Sequence, residues 1–186
     1  MPVRVVFLDR DGTINVDHGY VFRVTDWQFT QRAPEALRRL RRSGFRLGLV
    51  TNQSGVARGY YRLEDVHALH AHMQGLLSPV SGELDALALC PHGSDANCRC
   101  RKPHVGMADE IARQLGETID YTASWTIGDK LADAQFGWTL GTRVALIRST
   151  YWEPAQLDRK PDLCVSSLYE AACQIEAAAC HDAPPS

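Results

Sequence analysis

Two aspartates stand two positions apart in Asp9-Arg10-Asp11-Gly12-Thr13, directly after an apolar run. One carboxylate at such a place can attack phosphorus as a nucleophile, while the other moves protons. Gly12 allows a tight backbone bend after the pair. Taken alone, the pentapeptide reads equally well as an acidic turn closing a strand. Three further clusters weigh against that plainer reading. Thr51 and Asn52 offer a hydroxyl and an amide before a glycine-containing turn whose backbone N–H groups can face an anion. Gly128-Asp129-Lys130 sets an oxygen ligand beside a cation, and Asp133 reaches the same site if a helix begins there. A Mg²⁺ ion needs little beyond Asp9, a backbone carbonyl, Asp129, waters and phosphate oxygens. Only three of the 20 basic residues are lysine, and two of them, Lys102 and Lys130, lie in these clusters. A compact ammonium suits neutralisation of a phosphoryl group at a point.

The fourth cluster is Cys90-Pro91-His92 with Cys98-Arg99-Cys100. Three thiolates and an imidazole form a complete tetrahedral set for Zn²⁺ with no open position, which predicts a structural ion. Unligated loop thiols are the alternative. The loop runs directly into Arg101-Lys102, so a metal there would fix two cations over the pocket. Other groups read as plain structure. His67, His70 and His72, like Arg38, Arg39, Arg41 and Arg42, are expected on solvated helix faces. Trp27, Trp125, Trp138 and Trp152 are expected in the core or at its rim. Cys164, Cys173 and Cys180 read as small buried or tail thiols; Cys173 and Cys180 lie about 10 Å apart along a helix, too far to bridge.

These residues must be carried by strands. Val3 to Leu8, Phe45 to Val50, Leu84 to Leu89, Ser124 to Ile127, Thr142 to Ile147 and Leu163 to Val165 are short apolar runs. They alternate with helical stretches from Ala33 to Gly44, Leu63 to Leu77, Val105 to Leu115, from about Leu131, and from Ser167 to Ala179. That alternation predicts an α/β fold, a doubly wound parallel sheet covered on both faces. In such sheets ligands bind beyond the carboxyl ends of the strands, which is where every cluster above falls. The 186 residues fit one domain, expected over 1–180 with a frayed tail at 181–186. A net charge of −2 argues against nucleic acid or anionic membrane as a partner. No apolar run approaches the roughly 18 residues of a spanning helix, and an acid follows too soon after the start for a signal peptide. A cytoplasmic monomer is expected.

Phe7 to Asn15, Thr51, Lys102 and Gly128 to Lys130 together resemble the four motifs of the haloacid dehalogenase superfamily of phosphatases. Asn15 to Tyr20, Thr51 to Gly59, Cys90 to His92, Cys98 to Pro103 and Gly128 to Leu131 more closely resemble the D-glycero-D-manno-heptose-1,7-bisphosphate 7-phosphatase family within it. The resemblance spans roughly residues 5 to 150. Histidinol-phosphate phosphatases share the first motif and the zinc loop, but Val16 to Tyr20 and Ser54 to Gly59 favour the heptose family. A phospho-acceptor receiver module, the non-enzymatic alternative, leaves Asp11 and the Cys/His set unexplained.

The resemblance implies catalytic roles for Asp9, Asp11, Thr51 and Lys102, with Asp9 forming an aspartyl-phosphate. It implies Mg²⁺ on Asp9, the Asp11 carbonyl and Asp129, and structural Zn²⁺ on Cys90, His92, Cys98 and Cys100. Contacts to a sugar bisphosphate are implied for Asp17, His18, Gly19, Tyr20, Thr51, Asn52, Gln53, Ser54, Arg101, Lys102 and Lys130, with Arg101 suited to the second phosphate. It also implies a cytoplasmic step toward heptose precursors of lipopolysaccharide or surface glycoproteins. About twenty residues separate Asp11 from the first long helix, too few for a cap domain. The segment after Ile147 carries no family motif.

Overall fold

A computed structural model describes residues 2–181, without the side chains of Cys180 and His181. The tail expected from 181 onward therefore lies outside the described residues, save that the last helix runs through His181. The Cys180 thiol lies outside them too.

Six strands form the sheet: β1 (Val5–Leu8), β2 (Arg46–Asn52), β3 (Ala86–Cys90), β4 (Trp125–Gly128), β5 (Arg143–Ile147) and β6 (Leu163–Val165). Their order is β3-β2-β1-β4-β5-β6, and every pair is parallel. β1 reads as an unbroken apolar run and all of β4 is buried, because helices cover both faces of the sheet. Within β1, Val6 and Leu8 point to one layer and Val5 and Phe7 to the other, as the two-residue period of a strand requires. The first layer contains α1 (Ala33–Arg42), α5 (Leu168–His181) and the end of α2 (Leu63–Leu77). The second contains α3 (Gly106–Leu115) and Phe136 of α4 (Leu131–Leu140).

The chain winds outward from β1 through β2 to β3, then returns to the far side of β1 for β4. The reversal opens a crevice beyond the carboxyl ends of β1 and β4, the general ligand position in open α/β sheets. Register brings the three chemistry-bearing ends level, Leu8 pairing with both Leu49 and Ile127. β2 runs further than its apolar residues suggest, so Thr51 and Asn52 are its last residues rather than part of a turn. Between β1 and α1 the only regular element is one turn of 3-10 helix, Val24–Asp26, so no cap domain is inserted there.

Two expectations about exposure fail. His67 is exposed, but His70 is buried, because α2 turns that position toward Arg10. Cys164 is exposed, because it sits on the outer face of the edge strand β6. The Arg38–Arg42 face is mixed: Arg39 pairs with Glu176 and Arg41 with Asp85.

Candidate active site

Asp9 follows the last residue of β1, and its N–H still bonds to the Ile127 carbonyl of β4 at 2.9 Å. One side-chain oxygen accepts the Lys102 ammonium at 2.6 Å. The same ammonium bonds to the Val50 carbonyl at 2.6 Å and to Asp133 at 2.6 Å, so all three of its hydrogens are used. Burial pushes the Asp9 pKa up, and the Lys102 charge opposes that push. Burial likewise works against the Lys102 charge, but Asp133 and Asp9 outweigh it and leave the Lys102 pKa raised. Asp133 is held in turn by the Lys130 N–H at 3.0 Å, at the start of α4. Its place beside Asp129 agrees with the helical spacing read from sequence.

Asp129 is the electrostatically incomplete member of the set. Its Oδ1 is buried and accepts no hydrogen bond. Burial, and after it the Asp9 charge, push its pKa up to about 8. Gly12, at φ +86°, lies so close that a Cβ there would be 2.2 Å from Asp129 Oδ2. The glycine thus serves Asp129 as much as the bend. Carboxylate oxygens of Asp9, Asp129 and Asp133 all come within 4.8 Å of one another. Because Asp133 is already committed to Lys102 and Lys130, Asp9, Asp129 and the Asp11 carbonyl fit a hard divalent cation best. The Lys130 ammonium marks the same oxygens, 3.4 Å from the Asp11 carbonyl and 3.6 Å from Asp129 Oδ1.

Asp11 is framed differently. Its Oδ1 accepts Arg10 Nη2 at 2.9 Å, Arg10 Nε at 3.2 Å and Asn15 Nδ2 at 3.0 Å. Its Oδ2 accepts Gln53 Nε2 at 2.9 Å. Gln53 also donates to Thr51 Oγ1 at 2.9 Å, which leaves the threonine hydroxyl hydrogen for an incoming oxygen.

The crevice itself is a cavity of about 190 Å³ lined by Asp11, Asp17, Tyr20, Lys130, Tyr151 and neighbours. Larger surface clefts lie elsewhere, beside the Cys/His loop and at the amino ends of the strands. Gly19, Asn52, Gln53 and Ser54 also line the cavity, whereas His18 opens onto an adjacent surface groove. Arg101 is not a lining residue; its guanidinium donates to the His92 carbonyl at 3.2 Å. Asn52 grips the backbone of Lys102 from both sides, accepting its N–H at 3.0 Å and donating to its carbonyl at 3.2 Å. Tyr151, absent from the sequence-based set, donates its hydroxyl to Asp17 at 3.1 Å and presents its ring to Lys130 at 4.7 Å. Burial opposes the Asp17 charge, yet the Gly19 N–H and Lys130 hold its pKa below the ordinary carboxylate value.

The Cys/His set closes on itself. Sγ of Cys98 lies 3.6 Å from both Cys90 and Cys100, and His92 Nδ1 lies 3.5 Å from Cys90 and 3.2 Å from Cys100. A tetrahedron with edges near that length has a centre about 2.2 Å from each vertex, the Zn–S and Zn–N range.

Residues 4–144 match the family described as polynucleotide kinase 3 phosphatase. The chain is 42% identical to the D-glycero-beta-D-manno-heptose-1,7-bisphosphate 7-phosphatase of Photorhabdus laumondii, over 89% of this chain and 92% of that protein. The chain belongs to the heptose-1,7-bisphosphate 7-phosphatases, a haloacid dehalogenase-like phosphatase family. The Escherichia coli K12 protein of the same description is 38% identical over 89% of this chain and 90% of its own length. Among solved structures, the D,D-heptose 1.7-bisphosphate phosphatase of B. bronchiseptica, complexed with magnesium and phosphate, superposes with a TM-score of 0.85. It is 31% identical and covers 95% of this chain and 99% of its own. The Asp129 oxygen that accepts no hydrogen bond and the acidic donor set of this chain fit the magnesium described there.

Proposed function

We propose that the chain removes the 7-phosphate of D-glycero-D-manno-heptose 1,7-bisphosphate through an aspartyl-phosphate on Asp9. The observation that carries the reading is the pairing of Asp9, held by Lys102, with Asp11, held by an independent frame. Asp9 attacks phosphorus and the bond from phosphorus to the sugar oxygen breaks. Asp11 gives its proton to the departing alkoxide. Asp11 then takes a proton from the water that attacks the aspartyl-phosphate, which releases inorganic phosphate and restores both carboxyl groups. The Thr51 hydroxyl holds one transferring oxygen, and Lys102 holds another once its Asp9 contact is given up to the incoming phosphate, the electrostatic work common to phosphoryl transfer. Bound on Asp9, the Asp11 carbonyl and Asp129, Mg²⁺ supplies charge neutralisation between carboxylate and phosphate.

Asp17, Tyr20 and Lys130, all on the cavity wall, are assigned to the sugar and its leaving oxygen. Arg101 is assigned to the 1-phosphate, where a forked guanidinium suits a dianion. In this reading Zn²⁺ on Cys90, His92, Cys98 and Cys100 holds the strand-end loop that delivers Arg101 and Lys102. Among the described residues no helix is long and apolar enough to cross a membrane, in keeping with a step on a small phosphorylated sugar in the cytoplasm. The curated relatives carry the β-anomer in their names, which supports that anomer for this chain. Comparison of kcat/KM for the α- and β-anomers with that for histidinol phosphate tests the reading. A preference for histidinol phosphate overturns it.

A further inference from the structure

Every hydrogen-bonding position of the Gln53 amide meets a partner inside the protein. Its carbonyl oxygen accepts the Tyr61 hydroxyl at 2.8 Å and lies 3.3 Å from Arg10 Nη2. Its NH₂ group donates to Asp11 Oδ2 and to Thr51 Oγ1, both at 2.9 Å. The orientation is forced. Arg10 can only donate, so a flipped amide would set N–H against guanidinium and carbonyl oxygen against carboxylate. Gln53 is 2% exposed and has no polar position left for a ligand.

The groups that orient Gln53 are themselves fixed. Tyr61 stacks on Phe22 with ring centres 4.8 Å apart, and its ring occupies the space that a Cβ on Gly55 would fill, 2.2 Å from Cε1. Burial pushes the Tyr61 pKa up to about 12, so the phenol stays a donor. Arg10 is fully buried. Its Nη2 also bonds to the Val21 carbonyl at 2.6 Å, and its Nη1 lies 3.4 Å from His70 Nε2. Burial, and after it the Arg10 charge, push the His70 pKa down to about 3, so the imidazole stays neutral and can accept. The chain of orientation runs from His70 and Val21 to Arg10, from Arg10 and Tyr61 to Gln53, and from Gln53 to Asp11 and Thr51.

We propose that Gln53 is a positioning residue, not a substrate contact: aimed by Tyr61 and Arg10, it sets the free oxygen of Asp11 and the Thr51 hydroxyl at one fixed separation. Three N–H groups converge on Asp11 Oδ1, so Oδ2 is the oxygen available to carry a proton, and Gln53 decides where it points. The inference rests on Asp11 as the proton donor of the proposed reaction.

The test uses leaving groups. The ratio kcat/KM reports events up to the first irreversible step, attack by Asp9. Departure of a sugar alkoxide needs a well-placed proton there, whereas p-nitrophenolate departs without one. Wild type, Asp11→Asn, Tyr61→Phe and Gln53→Glu are compared on heptose 1,7-bisphosphate and on p-nitrophenyl phosphate. Tyr61→Phe, which removes one hydroxyl and little else, is expected to lower kcat/KM for the sugar about 5- to 30-fold. Its effect on p-nitrophenyl phosphate should stay below about threefold. Gln53→Glu sets two carboxylates face to face and should cost the sugar reaction more than about 100-fold. In an Asp9→Asn background, Tyr61→Phe should leave the Kd for heptose 1,7-bisphosphate unchanged. Weakened binding, or equal losses on both substrates, overturns the positioning role. If Asp11→Asn itself shows no leaving-group discrimination, the proton-donor reading falls and this inference with it. If Asp11→Asn discriminates and Tyr61→Phe does not, only the inference falls.

Discussion

The two flanks of β1 end in sites built on opposite principles. On the β2 and α2 side, Arg10, Asp11, Asn15, Gln53, Thr51, Tyr61 and His70 form a network in which one cation meets one anion and, apart from the buried Asn15 Oδ1, donors meet acceptors. On the β4 side, the cations that Asp9, Asp129, Asp133 and Asp17 meet among the described residues are Lys102 and Lys130. Carboxylates exceed ammonium groups there by two, and burial disfavours that surplus, which is why the Asp129 pKa rises to about 8. The first flank is balanced in charge within the protein and fixes the Asp11 carboxyl in one direction, as the proposed proton transfer demands. The second leaves room for two positive charges, which matches one divalent cation. One flank is neutral and held in place; the other is left short of positive charge.

The comparison can be broken at several points, beginning with the largest expected effect. Asp9→Asn should reduce turnover by on the order of 10⁴-fold or more and abolish covalent phosphate labelling. Asp11→Asn should lose turnover yet still trap some aspartyl-phosphate from a good leaving group. A fully active Asp9→Asn enzyme would sink the mechanism.

Asp129→Asn removes one of the surplus charges. It should raise the Mg²⁺ concentration needed for half activation by about 100-fold, read from a metal titration of activity. Tyr61→Phe, on the neutral flank, should leave that midpoint where it is. A shifted midpoint in both variants would show that the flanks are not independent.

Lys102 reaches the second flank from the Cys/His loop, so Cys98→Ser should weaken that flank at a distance. Elemental analysis should find about one zinc per wild-type chain and less in the variant. Substrate KM should rise, while labelling of Asp9 survives. Mild EDTA should stop activity reversibly by removing Mg²⁺ and leave zinc in place. A zinc-free, fully active protein would refute the structural role.

Gly55→Ala strikes the neutral flank alone. Its Cβ must displace the Tyr61 ring, and kcat/KM on the sugar substrate should fall about 10-fold with unaltered Mg²⁺ activation.

The last effect is on stability and leaves turnover aside. His70 has a pKa of about 3 in the folded state against an ordinary value of 6.5. The unfolded chain therefore binds the proton more readily in that interval. Its contribution is complete above about pH 6.5 and is lost as pH falls toward 3, by at most about 1.4 kcal/mol per unit. Urea unfolding of His70→Gln should show a shallower loss over that window. An identical pH profile in both proteins would contradict the burial of a neutral imidazole.

Much of this was legible before folding. Alternating apolar runs and helical stretches determine a parallel sheet, because each strand must be covered on both faces. Asp9 and Asp11, with Gly12 beyond them, declare their place at a strand end, since a buried apolar run stops there abruptly in acid, as the run before Asp129 also does. The Cys/His spacing carries its own geometry, because all four ligands lie within eleven residues. The contacts that make the site work were not legible, even where a residue such as Lys102 was. Lys102 bonds to Asp9 across 93 positions, and Tyr151 meets Asp17 across 134. His70 lies on a helix whose polar residues all look solvated in one dimension, yet it supports Arg10 from the core. Periodicity reports which face of an element is covered. Strand order and register decide which buried polar atom meets which, because an uncompensated charge in the interior is tolerated only where the rest of the fold brings its partner to it.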